Sequence, residues 1–302
     1  MIDFRKPDSQ MLLSYRQTVL QQDISCEYAP VNLAIWGKQR MAFLNGYWVF
    51  FSQFDRRAVY PFPVGSGDIK PVLDALLQDA QQRGIRCCIT AMNPDQCDLL
   101  NSLYPGKFCI FADRDGFDYL YNIDDLADLK GRRYQKKRNH INKFQSLFPS
   151  WRTEELSEGN IPAVQQFLQQ WFDRRLQDNP MADFHLEQLA LERALRDWRA
   201  LGLEGLVLRD DRRVLAFSLA SLLNESTIDV HFEKAAEDAD GAYAAINQAM
   251  ASWLRQRHPA VRYLNREDDM GIEGLRKAKL SYYPVKMSEK YWAKPRGDED
   301  DC

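Results

Sequence analysis

From residue 150 onward, apolar positions recur at two different spacings. In "IPAVQQFLQQWFDRRL", Ile161, Val164, Leu168 and Phe172 fall at helical intervals, and "FHLEQLALERALRDWRAL" repeats the pattern. "WRTEEL" ahead of them reads as a short strand. After them come three strand-like runs, "LEGLVLR", "RVLAFSLASLL" and "STIDVHFEK", separated by turns at Asp210–Arg212 and "NES". "GAYAAINQAMASWLRQR" predicts a helix opened by Gly241. "VRYLNRE" predicts a strand, "GIEGLRKAK" a short helix and "PVKMSEKYW" a last strand. The first half is patterned less sharply. "MAFLNGYWVFFSQF" and "AVYPFPVG" read as a strand pair, and "DIKPVLDALLQDAQQRG" as a helix stopped by Gly84. "IRCCITAM" is a strand, "PDQCDLLNSL" a short helix and "FCIFADRDGFDYLY" further strand.

A three-stranded meander followed by a helical crossover implies a mixed sheet. The order strand, two helices, three strands, helix, strand, helix, strand resembles the GNAT acyltransferase fold. The first half repeats part of that order without repeating its sequence. The expected class is therefore α/β (α+β mixed sheets), with two GNAT-like halves in tandem, 1–126 and 127–302.

The chain has 302 residues, 45% hydrophobic and 27% charged, enough to build packed cores in about two domains. Its net charge of −3 means that affinity for polyanions has to come from local patches. No apolar run approaches the roughly 20 residues of a membrane span, and "MIDFRKPDSQMLLSYRQ" carries charges where a signal peptide needs its apolar region. The expectation is a cytoplasmic protein, with peripheral contact at the inner membrane face left open. The six cysteines, Cys26, Cys87, Cys88, Cys97, Cys109 and Cys302, form no C-x-x-C pair and read as reduced core thiols. The four histidines are scattered, so no metal site is expected.

Leu129–Phe144, "LKGRRYQKKRNHINKF", holds seven basic residues and no acid: Lys130, Arg132, Arg133, Lys136, Lys137, Arg138 and Lys143. Tyr134, Ile141, Phe144 and Phe148 share one helical face for docking on the protein. The basic residues are then either a solvated face or a contact for tRNA or anionic lipid, steeply salt-dependent in the second case. Tyr134 and His140 are placed to stack on bases, and the acidic tail "GDEDDC" to compete for the patch.

This basic stretch, followed by "NREDDMGIEGLRKAKLSYYP", resembles the soluble C-terminal domain of bacterial phosphatidylglycerol lysyltransferases and their stand-alone relatives. Those domains carry a G-L-R-x-x-K-x-x-[FY]-x-P string, matched here by Gly274, Leu275, Arg276, Lys279, Tyr282 and Pro284. The resemblance implies two facing GNAT-like halves. It also implies transfer of an aminoacyl group from charged tRNA to a lipid hydroxyl, with no cofactor beyond the aminoacyl-tRNA itself. Fem-type peptidyltransferases are similar in architecture. Full-length synthases also carry a membrane-embedded flippase region that this sequence lacks, which leaves the acceptor open.

Alternation along "STIDVHFEK" puts Thr227, Asp229, His231 and Glu233 on one strand face, which is expected to line a water-filled cleft or an ordinary solvated side. "YLNRE" puts Tyr263, Asn265 and Glu267 on one face, with Glu267, Asp268 and Asp269 at the strand's C-terminal mouth. Asp229, His231, Glu233, Asn265, Glu267 and Asp268 are the candidate catalytic set, for proton removal, oxyanion stabilisation or holding an α-ammonium. Arg276, Lys277 and Lys279, with Tyr282, are candidates for a phosphate of tRNA or lipid; the alternative is an exposed ion-paired helix. Gly241 belongs to "DADGAY", where an acetyl-CoA enzyme of this fold would cradle pyrophosphate. Asp238, Asp240 and Tyr243 argue against that donor. Aminoacyl-tRNA is therefore the first-ranked donor, acetyl-CoA the second, and a non-catalytic tRNA- or membrane-surface-binding module the third reading.

Overall fold

A computed structural model describes residues 1–54, 57–181 and 183–297. The acidic stretch after Gly297, with Cys302, lies outside the described residues. The chain forms two compact units that interleave along the sequence. One comprises Met1–Tyr119, Asp268–Lys277 and the segment from Met287 onward; the other comprises Leu120–Glu267 and Ala278–Lys286.

The first unit is built on a mixed sheet. Gln39–Leu44 pairs antiparallel with Tyr47–Phe54, which pairs with Arg57–Pro61. Arg57–Pro61 runs parallel to Cys88–Met92. Tyr291–Pro295 is then inserted antiparallel between Cys88–Met92 and Phe108–Ala112. The helix Lys70–Arg83 packs Val72, Leu73, Leu76 and Ala80 into the core with Tyr60, Ile89 and Met92. It ends at Gly84 in the left-handed region (φ +68°), as the sequence predicts. The helix Ser9–Val19, which the sequence reading passed over, buries Tyr15 and Val19 against Trp48 and Phe50.

The second unit holds the predicted meander, Glu204–Arg209, Val214–Asn224 and Thr227–Ala235, antiparallel throughout. Tyr263–Asn265 then adds in parallel to Thr227–Ala235, and Arg152–Glu155 closes the other edge. Both sheets are thus mixed, as the sequence predicts. The helix Ala242–Arg257 buries its small face, Ala244, Ala245, Ile246 and Ala251.

Three predicted elements differ. "PVKMSEKYW" is two short strands, Lys286–Ser288 and Tyr291–Pro295, in different sheets. Between them Lys290 turns into the core, where its ammonium meets Asp118. "FCIFADRDGFDYLY" is likewise cut, at Arg114–Gly116, into Phe108–Ala112 and Asp118–Asn122. The "VRYLNRE" strand stops at Asn265, so Glu267 is not on its alternating face. Cys26, Cys87, Cys88 and Cys97 are reduced thiols, as expected, whereas Cys109 is disulfide-bonded, against the expected reduced thiol. No described helix is long and apolar enough to cross a membrane.

Candidate functional site

In the second unit the parallel pairing of Thr227–Ala235 with Tyr263–Asn265 ends at the Asp229–Asn265 partners. Beyond that point Glu267 takes a left-handed backbone (φ +54°), a costly conformation for a side chain with a Cβ. Asn265 Oδ1 holds it there by accepting the Glu267 amide at 2.8 Å. The carboxylate turns back, and Glu267 Oε1 lies 3.4 Å from His231 Nδ1. Asp229 Oδ2 lies 3.5 Å from the same nitrogen. With two carboxylates facing Nδ1, that nitrogen carries the ring proton. Nε2 shares a hydrogen bond with the Ser221 hydroxyl at 2.8 Å.

The register of Thr227–Ala235 against Val214–Asn224 slips between Leu219 and Ala220, opposite His231. A bulge of this kind re-aims one side chain. The face expected to line a water-filled cleft is instead buried. The side chains of Asp229 and His231 are 0% exposed, and Ser221 and Thr227 are buried too. Ser221 and Glu267 hydrogen-bond the two ring nitrogens of His231, and Asp229 faces Nδ1 at ion-pair distance, so polar neighbours stand where solvent was expected. Among Ser221, Asp229, His231 and Glu267, Glu267 is the member open to a ligand, its side chain 22% exposed.

Glu233 lies on the same strand but serves another group. It accepts from the Arg266 guanidinium at 2.8 Å and from Asn247 Nδ2 at 3.1 Å. Arg266 sits 5.0 Å from the Tyr282 ring centre and 5.7 Å from that of Tyr121. Lys137 Nζ lies 3.7 Å from the centre of the Tyr282 ring and 2.6 Å from Ser281 Oγ. Burial, with Arg266 nearby, pushes the Lys137 ammonium down to about 8. Lys137 and Arg266 therefore flank one aromatic ring with two cations against one carboxylate, an arrangement suited to an anionic group.

The other expected phosphate ligands are committed elsewhere. Arg276 makes a two-pronged contact with Asp269 (2.9 and 2.7 Å) and reaches Asp115 at 2.7 Å. Asp269 is fully buried and also accepts from Tyr119 and the Gly271 amide. Lys279 is buried and donates to the Arg266 carbonyl. Lys277 is exposed and paired with Glu273. Tyr282 is buried. Asp268 belongs to the first unit, where its carboxylate groups with Cys26 and Glu27.

Gly241 has a packing role. It caps Ala242–Arg257 in the left-handed region (φ +84°), and a Cβ there would stand 2.2 Å from the His140 carbonyl oxygen. The acids around it are paired with cations: Glu237 with Arg175, Asp238 with Arg213, and Asp240 with Lys143.

The basic helix runs Gln135–Leu147 and docks through Ile141 and Phe144, with Tyr134 buried just before it. Tyr134 therefore cannot stack on a base, whereas His140 is exposed. Lys130 and Arg133 are paired with Asp128 and Asp125. Arg138 turns inward to the carbonyls of Leu129 and Gly131. Lys136 and Arg132 are exposed on the surface. Among the described residues, two side-chain groups have the spacing to hold a cation, their donor atoms all within 4.8 Å of one another: Asp229, His231 and Glu267, and Cys26, Glu27 and Asp268. Scattered histidines in the sequence gave no sign of either.

The family model described as "Phosphatidylglycerol lysyltransferase, C-terminal" matches residues 20–294. The chain belongs to this family. A conserved protein of unknown function from Bacteroides thetaiotaomicron has the same fold, with a TM-score of 0.92 and 34% identity over 98% of this chain and 100% of that one. L-PGS from Bacillus licheniformis superimposes with a TM-score of 0.72 at 16% identity, covering 99% of this chain and 96% of that one. Among curated proteins, an uncharacterized protein of Mycoplasmoides gallisepticum is 26% identical over 181 residues, 59% of this chain. The chain spans about half of that relative, 56% of its length. The architecture is the family's, two GNAT-like halves in tandem. Ser221 and Arg266 were missed as site residues. Ser221 lies in an unbroken apolar-looking run, and Arg266 was passed over as the lead-in to an acidic string.

Proposed function

We propose that this family member is an acyltransferase that takes its acyl group from aminoacyl-tRNA, with Glu267, oriented by His231, removing the acceptor's proton. The observation that carries the reading is the His231 imidazole held between Ser221 and two carboxylates where two strands stop pairing. An aminoacyl ester is already activated, so its transfer needs positioning, a base and charge stabilisation rather than a covalent intermediate. The acceptor hydroxyl or amine attacks the ester carbonyl and gives its proton to Glu267. Glu267 then passes that proton to the departing tRNA 3′-oxygen, which returns the side chain to its carboxylate form. The products are the acylated acceptor and deacylated tRNA. His231 and Ser221 act behind Glu267, orienting it and sharing charge. The Lys137–Arg266 pair supplies the phosphate contact first assigned to Arg276 and Lys279. A lipid hydroxyl or another small acceptor at a membrane surface fits this scheme.

The test incubates the purified chain with radiolabelled aminoacyl-tRNAs, together with vesicles of anionic lipid or small amine acceptors. Acceptor-dependent deacylation that falls at least 100-fold in Glu267→Gln, with tRNA binding retained, supports the assignment. Absence of deacylation with every acceptor class would sink the donor reading. Micromolar binding of acetyl-CoA by calorimetry would move the donor to the second-ranked candidate.

A further inference from the structure

The first unit holds a pocket of about 360 Å³ that the chemistry above does not use. That volume is in the range of small-ligand sites, roughly 300–1,000 Å³. Its wall includes Glu27, Gln39, Ser52, Asp113, Lys290 and Trp292.

The floor is set by strand register. Gln39 pairs directly with Ser52, and Ser52 with Val59, so these side chains share one face of the sheet. The neighbouring strands are irregular beside this row. Ala91 takes a left-handed backbone (φ +55°), and the register of Tyr291–Pro295 against Cys88–Met92 slips between Tyr291 and Ala293. Trp292 sits in that slip, its indole N–H donating to Asp113 Oδ2 at 2.9 Å.

Two features of the wall define a ligand. First, Ser52 is 1% exposed, yet its hydroxyl has no hydrogen-bond partner, and neither does Gln39 Oε1 across from it. A buried polar group left unmade costs about 1–3 kcal/mol, so such groups need a reason. Second, the charges of the described lining residues do not balance. Lys290 Nζ is the cation, and it is taken by Asp118 Oδ1 at 2.5 Å and Glu27 Oε1 at 2.6 Å. Asp113 adds a third carboxylate. Burial pushes the Glu27 carboxyl upward; Asp118 adds to that and Lys290 opposes it. A second cation beside Glu27 would relieve this.

Unpartnered acceptors, surplus carboxylate and an indole edge together describe a ligand that donates hydrogen bonds and carries positive charge. We propose that this pocket binds a small primary amine, its ammonium placed among Glu27, Asp113, Gln39 and Ser52. An ammonium offers three donors and no acceptor, the complement of what the wall leaves unmade. A carboxylate or phosphate would meet charge of its own sign.

Calorimetry on the full chain tests this without tRNA, so its outcome is independent of the transfer reading. The probes are ethanolamine and 1,5-diaminopentane, with 1,5-pentanediol and glutarate as neutral and anionic counterparts. An amine should bind at least tenfold more tightly than the diol, and glutarate should not bind. Ser52→Ala removes an atom that makes no native hydrogen bond, so the variant should fold and melt no lower than the parent. Its amine affinity should nonetheless fall about tenfold. Failure of both amines to bind overturns the proposal. So does equal binding of amine and diol, preference for glutarate, or unchanged amine affinity in Ser52→Ala.

Discussion

Lys290→Met isolates the energetics of the buried charge cluster in the first unit. The Lys290 side chain is 3% exposed and Asp118 is 0% exposed. Removing the ammonium leaves the Asp118 carboxylate with the Cys26 amide at 2.8 Å and the Cys26 thiol at 3.1 Å, and without its cation. Breaking one partner of a buried pair costs about 3–5 kcal/mol, because the remaining charge is desolvated and uncompensated. Methionine keeps most of the lysine volume, so cavity formation adds little. At roughly 2–4 °C per kcal/mol for a unit of this size, the melting temperature should fall by about 10 °C. Urea unfolding at pH 7, followed by tryptophan fluorescence, reads the same loss. The double variant Lys290→Met, Asp118→Leu should recover part of it, since replacing a buried pair by apolar groups is often near neutral and the remaining partner, Glu27, is 30% exposed. The pH dependence has a definite sign. Burial alone would lower the Lys290 pKa, but Asp118, Cys26 and Glu27 outweigh it and raise it well above its ordinary value. A group with a raised folded pKa contributes fully below its unfolded value, about 10.4, and loses that contribution only as pH climbs through the folded one. The gap between parent and Lys290→Met should therefore stay flat from pH 8 to 10 and narrow above that. A single-variant loss below about 1 kcal/mol, or additive effects in the double variant, would refute the reasoning.

Gly241→Ala should destabilise the second unit by about 1–2 kcal/mol from the left-handed backbone alone, and more from the His140 contact; an unchanged melting curve would show that the capping geometry is wrong. Arg138→Ala should cost about 1 kcal/mol, because the part-buried Leu129 carbonyl loses its donor while water can replace it at Gly131, whereas Lys136→Ala should be nearly silent in stability; equal effects in urea unfolding would count against the inward placement of Arg138. The hydrogen bonds from Arg276 hold the Asp269 carboxyl well below the usual range. Its contribution is then present above the unfolded value, about 3.9, and lost as pH falls toward the folded one, so the melting advantage of the parent over Asp269→Asn should hold from pH 7 to 5 and shrink below about 4. An advantage that persisted undiminished to pH 2 would exclude this linkage.

Periodicity in the sequence determined the meander, the crossover helix and the order of elements, because helix and strand patterns depend only on local spacing. The stop at Gly84 and the docking face through Ile141 and Phe144 were legible for the same reason. The family was legible too, since a short string of fixed spacing carries it. What the sequence could not give was who faces whom. Asp229 and His231 were correctly placed on one strand, but their surroundings depend on a slipped register and on Glu267 folding back through a left-handed residue. Both are set by partners 10 and 36 positions away from His231. Arg276 and Arg138 looked like free cations because a charge run shows sign and spacing and does not show the carboxylate or carbonyl that takes each donor. Lys290 gave no signal at all. Its neighbours Cys26 and Asp118 lie 264 and 172 residues away, and only the closing of the sheet by the last strand brings a lysine to that buried place. Composition fixes how many charges a chain has; tertiary structure decides which are solvated, which are paired and which are left for a ligand.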